Sequence, residues 1–215
     1  MFDPLHFAYL AVALLISLTI HEYSHAKVAD YLGDPTPRYM GRLTLNPLAH
    51  LDPMGTIFML FAILRGIGIG WAKPVPVNPT YMRRFSYRTS MGLTAVAGPA
   101  SNFVLAVSCA ILAHLGVILK LPTPVILLFA YIVVVNVSLA LFNLLPLHPL
   151  DGAKVLIGIL GNIRGRWAYE LGNWLMETER WGFLPLFALL ILDQFIPVLS
   201  FILGPVSNFI LNILL

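Results

Sequence analysis

Cysteine is almost absent. Cys109 is the only one among 215 residues, so the chain can build neither an internal disulfide nor a cysteine-rich metal site. Set in an apolar run, Cys109 is expected to be a small buried hydrophobe. Charge is equally scarce. Charged residues make up 11% of the chain and hydrophobic residues 59%, whereas a soluble domain carries about 25% charge. So little charge cannot cover a water-facing surface, and lipid becomes the expected solvent. No basic stripe or nucleic-acid-binding motif is present, so the net charge of +3 reads as membrane topology and nucleic acid is not an expected partner. No G-x-S-x-G occurs, which argues against a serine-hydrolase elbow. Repeats, low-complexity tracts and a second soluble domain are also lacking. The chain reads as one membrane-embedded domain over 1–215, with a core at 4–160 and C-terminal membrane segments at 182–215.

What is present is a series of long apolar runs. Asp3 is an N-cap residue and Pro4 suits the first helical position. Gly33 before Asp34-Pro35 is a stop signal. Together they predict a helix over 4–32, about 44 Å long at its rise per residue, against a hydrocarbon core of about 30 Å. Residues 7–20 have the length of a signal-peptide core, but the first six residues hold Asp3 and no Lys or Arg, which favours a retained membrane helix. Further spans are expected over 89–119 and 125–145. The run at 182–215 is interrupted by Asp193 and Pro197, and reads as one bent span or a hairpin of short helices.

Between the first two full spans the pattern changes. "RYMGRLTL" alternates like a short strand, and "GIGIGWAKPVPVN" (66–78) reads as an edge strand or hairpin because its period is two and it contains proline. "MGTIFMLFAIL" (54–64) is too short to cross and suits a re-entrant or interfacial piece. The expected fold is therefore an all-α polytopic membrane protein of about four to six membrane helices, with a small β-hairpin or re-entrant element between the first and second full spans. Lys27, Arg38 and Arg42, then Lys73, Arg83, Arg84 and Arg88, then Lys154, Arg164, Arg166 and Arg180 share one side if 54–70 does not cross. The positive-inside rule makes that side cytoplasmic.

The first helix carries ionisable groups where it should still lie in lipid. His21-Glu22-Tyr23-Ser24-His25 is H-E-x-x-H. Positions i and i+4 share a helix face, so His21 and His25 can grip one metal ion. Glu22 lies about 100° round the helix from His21 and can reach water at the metal without being a ligand. This is the zinc-hydrolase arrangement. The two histidines lie about 10 to 17 Å from the helix C-terminus, and ionisable residues at such depth are functional by default. A third ligand is needed. Asp151 follows an apolar span unwound by Pro146 and Pro149. It reads either as a helix N-cap or as that ligand, and the shared depth with His21 and His25 favours the ligand.

In this order, "HEYSH", "GIGIGWAKPVPVN", "GPASN" and "NLLPLHPLDG" resemble the site-2 protease family of intramembrane zinc metalloproteases. The resemblance implies a minimal branch without PDZ or CBS domains. It implies a zinc endopeptidase in which His21, His25 and Asp151 hold Zn2+, Glu22 is the general base and Asn143 helps bind substrate or the oxyanion. Expected partners are a membrane-anchored protein substrate, such as a regulator or a signal-peptide remnant, and the lipid bilayer; a homo-oligomer is left open. The expected location is a prokaryotic cytoplasmic membrane, with the site toward the cytoplasm. Cleavage needs an extended substrate, and Gly66, Gly68 and Gly70 are the candidate strand edge that would pair with it. Asn102 either faces the site or makes an inter-helix hydrogen bond. Trp71 is an expected interfacial anchor; His148, where the family motif has an apolar residue or proline, is an expected solvated loop residue with a second role left open. The competing reading is a membrane metal transporter or metal-binding protein using the same His/Asp cluster.

Overall fold

The computed structural model describes residues 3–65 and 70–215. Nine α-helices occur among them: α1 (Pro4–Leu32), α2 (Thr36–Tyr39), α3 (Pro53–Arg65), α4 (Tyr87–Ile118), α5 (Thr123–Asn143), α6 (Asp151–Leu160), α7 (Arg166–Thr178), α8 (Leu184–Asp193) and α9 (Val198–Leu214). The first helix has its expected bounds for the expected reasons. The Asp3 carboxylate accepts from the Leu5 and His6 amides, satisfying N–H groups that a helix start leaves open. At the other end Gly33 takes φ 112°, a left-handed conformation that glycine adopts without a Cβ penalty.

The protein is an all-α polytopic membrane protein. Helices α1, α4 and α5 are each long and apolar enough to cross a bilayer, and α8 with α9, bent by 86°, makes a fourth span if the pair is counted as one. The bend falls at Pro197, after Asp193 accepts the Leu199 amide at 2.7 Å. Helix α4 packs against α1, α5 and α6, while α9 lies against α5 and α4. The central cluster joins Ala13, Ala106, Cys109, Ala110, Ile132 and Val133. Lipid is as apolar as these side chains, so close packing of small residues holds the helices together rather than exclusion from water. Cys109 is buried and free, as its apolar setting predicts.

The region between α1 and α4 departs from expectation. Among the described residues there is no strand, and the expected β-hairpin is not found. Residues at 38–45 form the end of α2 and a turn instead. From 70 to 78 the chain is an extended strap whose one backbone bridge pairs Leu51 with Ala72, antiparallel. Pro74 and Pro76 have no N–H to donate, so a ladder cannot continue along this strap. Side chains supply the missing bonds. Buried Arg42 donates to the carbonyls of Ala49 and Lys73. Fully buried Asp34 accepts from the Thr36 amide at 2.9 Å and the Asn78 amide at 2.6 Å, pinning the strap beneath the end of α1. Trp71 stacks on Phe58 of α3, 5.4 Å between ring centroids. Helix α3 has 13 residues, about 20 Å at helical rise, too short to span.

Candidate metal centre

Three side chains from two distant parts of the chain converge. His21 and His25 stand on one face of α1, one turn apart, with their Nε2 atoms 3.0 Å from each other. Asp151 is the first residue of α6, and its Oδ2 lies 3.1 Å from His21 Nε2 and 3.2 Å from His25 Nε2. Both histidines are buried. Two features of α6 place the carboxylate there. The turn before it folds so tightly that a Cβ at Gly152 would lie 2.2 Å from the Leu144 carbonyl oxygen. Farther along, the Gly158 and Gly92 backbones touch, seating α6 directly on α4. Leu150, not Asp151, takes the N-cap position of α6; Asp151 is its first helical residue, and its carboxylate makes no cap bond and points at the imidazoles.

The donor set fits a cation. His25 Nδ1 meets the Thr94 carbonyl oxygen at 2.7 Å. A carbonyl only accepts, so Nδ1 carries the proton and a neutral His25 turns its Nε2 lone pair inward. His21 Nδ1 contacts Asn102 Oδ1 at 2.5 Å. Asp151 Oδ2 is buried and has no hydrogen-bond partner. Three lone-pair-bearing atoms therefore face one another, an arrangement that repels itself unless a positive charge lies between them. Zinc with nitrogen and oxygen ligands at about 2.0–2.1 Å in tetrahedral array sets those ligands about 3.3 Å apart, close to the spacings found. The wall opposite is bare by necessity: a Cβ at Gly98 would lie 2.4 Å from His25 Nε2 and 2.6 Å from His21 Nε2. Among the described residues this is the one cluster of three or more His, Cys, Asp or Glu side chains close enough to share an ion.

Glu22 is buried beside the pair, its carboxylate within electrostatic range of His25 and of Arg42. Burial lowers the Arg42 pKa from its usual value, and the Glu22 charge offsets part of that. Asn102, with its two alternatives, does both things: it touches His21 and also bonds across to α5. Asn143 closes α5, its Nδ2 donating to the Leu139 carbonyl at 3.0 Å. Gly66 and Gly68 lie outside the described residues. Gly70 permits the expected close backbone approach, but to α3: a Cβ there would lie 2.1 Å from Met59 Cβ. His148 is not solvated. It is 2% exposed, and burial pushes its imidazole below the usual histidine value.

Some contributors carried little signal beforehand. Thr94 acts through its carbonyl, which any residue owns. Gly98 lay within the quoted "GPASN", yet only packing reveals which face it opens. Asn136 did carry a signal, an amide in the middle of an apolar span, since polar groups at that depth need partners.

A sequence profile described as Peptidase family M50 matches residues 116–178, a stretch that includes Asn143 and Asp151. The chain is 36% identical over 207 residues to the protein named "Putative zinc metalloprotease YwhC" of Bacillus subtilis, covering 93% of this chain and 86% of that one. It is 31% identical over 182 residues to "Putative zinc metalloprotease Rip2" of Mycolicibacterium smegmatis, covering 82% of this chain and 64% of the relative. The protein of the same name from Mycobacterium tuberculosis is 34% identical over 146 residues, 66% of this chain and 53% of its own length. No solved structure matches the chain.

Proposed function

The chain belongs to peptidase family M50, and from that membership and the converging side chains we propose that it is a zinc endopeptidase that hydrolyses peptide bonds within or beside the transmembrane segments of membrane-anchored proteins. One observation carries the reading. His21, His25 and Asp151 turn three lone-pair-bearing atoms toward one point inside a membrane bundle, with the Glu22 carboxylate beside them. Regulators and signal-peptide remnants are the substrate classes in view. The cell compartment is a cytoplasmic membrane, with the site opening on the side that carries the basic segments.

In this mechanism His21, His25 and Asp151 hold zinc, which when bound supplies a Lewis acid and makes water acidic enough to react near neutral pH. Glu22 takes the proton of the attacking water and later returns it to the leaving amine. The Asn102 and Thr94 contacts hold the imidazoles rigid, so that both Nε2 atoms keep their aim. Asn143, at the mouth of the α5–α6 turn, is the candidate amide for the substrate carbonyl. Burial of the cluster keeps bulk water away, which strengthens each of these electrostatic contacts.

The alternative, carriage of a metal ion through the bilayer, needs ligands spaced along a route. Among the described residues the cluster at this one depth weighs against it. Glu22→Gln separates the two. It should keep zinc at wild-type stoichiometry in detergent, while cleavage of a membrane-anchored reporter falls at least about 100-fold, the lower end for loss of a general base. Normal turnover by that variant, or full activity of chelated wild-type protein, would overturn the reading.

A further inference from the structure

The two histidines are oriented by unlike devices. His25 rests on a main-chain carbonyl, as described. His21 rests on a side-chain amide, and an amide can present either end. What fixes that amide lies deeper in the bundle, where Ser17, Asn102 and Asn136 are each fully buried on three different helices.

The direction of every bond in this chain follows from two carbonyls. Asn136 lies 2.8 Å from the Ile132 carbonyl oxygen, which can only accept, so the facing atom is its nitrogen. The same Nδ2 donates its other proton to Ser17 Oγ at 2.7 Å. Ser17 can receive it because its own hydroxyl proton is committed to the Ala13 carbonyl at 2.6 Å. Asn136 must then turn its Oδ1 toward Asn102. An amide oxygen only accepts, so Asn102 presents Nδ2 to it, at 2.6 Å, with a longer contact from that nitrogen to the Ser17 carbonyl at 3.4 Å. Asn102 Oδ1 is left facing His21 Nδ1 at 2.5 Å, and the ring nitrogen has to be the donor. A neutral His21 then carries its lone pair on Nε2, the atom 3.1 Å from Asp151 Oδ2.

We propose that Asn136 and Ser17 are positioning residues for the metal centre: a one-way relay from the Ala13 and Ile132 carbonyls through Ser17, Asn136 and Asn102 locks His21 in the tautomer whose Nε2 binds the ion. In hydrocarbon the relay has no water to substitute for a missing partner, so reversing any amide leaves two donors or two acceptors face to face. The zinc part rests on the reading above; the tautomer part does not.

The test uses the full chain in detergent. Zinc affinity is measured by chelator competition, and the His21 tautomer by two-bond nitrogen–proton NMR of 15N-histidine-labelled, metal-free protein at alkaline pH. Asn136→Leu keeps the size and removes the acceptor. It should weaken zinc binding about 10- to 100-fold, the cost of losing an outer-shell partner, and should populate both His21 tautomers while His25 keeps one. A general loss of packing would disturb both histidines, so an unchanged His25 tautomer beside a mixed His21 distinguishes the relay from it. Should Asn136→Leu fail to fold, Ser17→Ala decides: it removes one of two anchors and should give a smaller change in the same direction. A single His21 tautomer and unchanged zinc affinity in Asn136→Leu, or in Ser17→Ala in its place, would overturn the relay. If wild-type protein binds no zinc, the proposed function fails, and the metal-free tautomer measurement still decides the relay.

Discussion

At position 98 a methyl group would collide with both imidazole nitrogens that face the centre. Elsewhere in a helix, alanine is favoured over glycine by about 1 kcal/mol, so Gly98→Ala separates site from scaffold. Propensity gain and overpacking of the buried site oppose each other, so stability should shift by no more than about 1–3 kcal/mol, while zinc affinity in chelator competition drops at least about tenfold, the scale of a disturbed ligand environment. Unchanged affinity would mean that the imidazoles swing clear. The same scale shows how far single residues can be read in advance. His21, Glu22 and His25 were legible because helical spacing alone puts them together. His148 was not. A histidine between prolines reads as a wet loop, but His148 is buried, with Leu175 of α7 and Glu179 just past its end as neighbours. No local pattern announces a loop covered by a helix that comes twenty residues later.

Among the elements, the helices obeyed their punctuation, and the expected strands are not found among the described residues. Caps are local, so Asp3 and Gly33 determine the ends of α1 within a few residues of themselves. A strand exists only if a partner supplies bonds along its length, and the partner here is mostly side chains. Arg42 ties the segment before α3 to the strap, beside the Lys73 amide that donates to the His50 carbonyl at 2.8 Å. Arg42→Met keeps the length and removes both ties, each worth about 1.5–3 kcal/mol as a charged hydrogen bond. Hydrogen exchange in peptides spanning 70–78 should accelerate strongly, while those from α4 and α5 stay protected. Equal protection in the variant would show that the backbone bridge at Ala72 suffices.

For the whole molecule, three spans suffice to order its sides. α1 runs one way, α4 returns and α5 runs back, as required for His25 near the end of α1 to reach Thr94 near the start of α4. The segments 33–86 and 144–183 then share a side, and 119–122 lies on the other. Lys120 stands there, on the side opposite the basic segments. In a Cys109→Ser background, Lys120→Cys should react with an impermeant maleimide on intact cells, and Arg166→Cys only after permeabilisation. The reverse pattern would invert the protein in the membrane, and labelling of both from outside would break the three-span count.

By itself the sequence determined the solvent, the long helices and their ends, and the spacing of two histidines and a glutamate, because hydropathy, caps and helical period act over a few residues. It also pointed to Asp151 by depth. Only the tertiary structure decided that Asp151 Oδ2 meets both Nε2 atoms, that Gly98 leaves the space between α1 and α4 clear, and that amides from α4 and α5 aim His21. Those facts depend on how three helices rotate about their own axes against one another. In lipid that rotation is set by small-residue packing and buried hydrogen bonds between residues scores of positions apart, which no window along the chain contains.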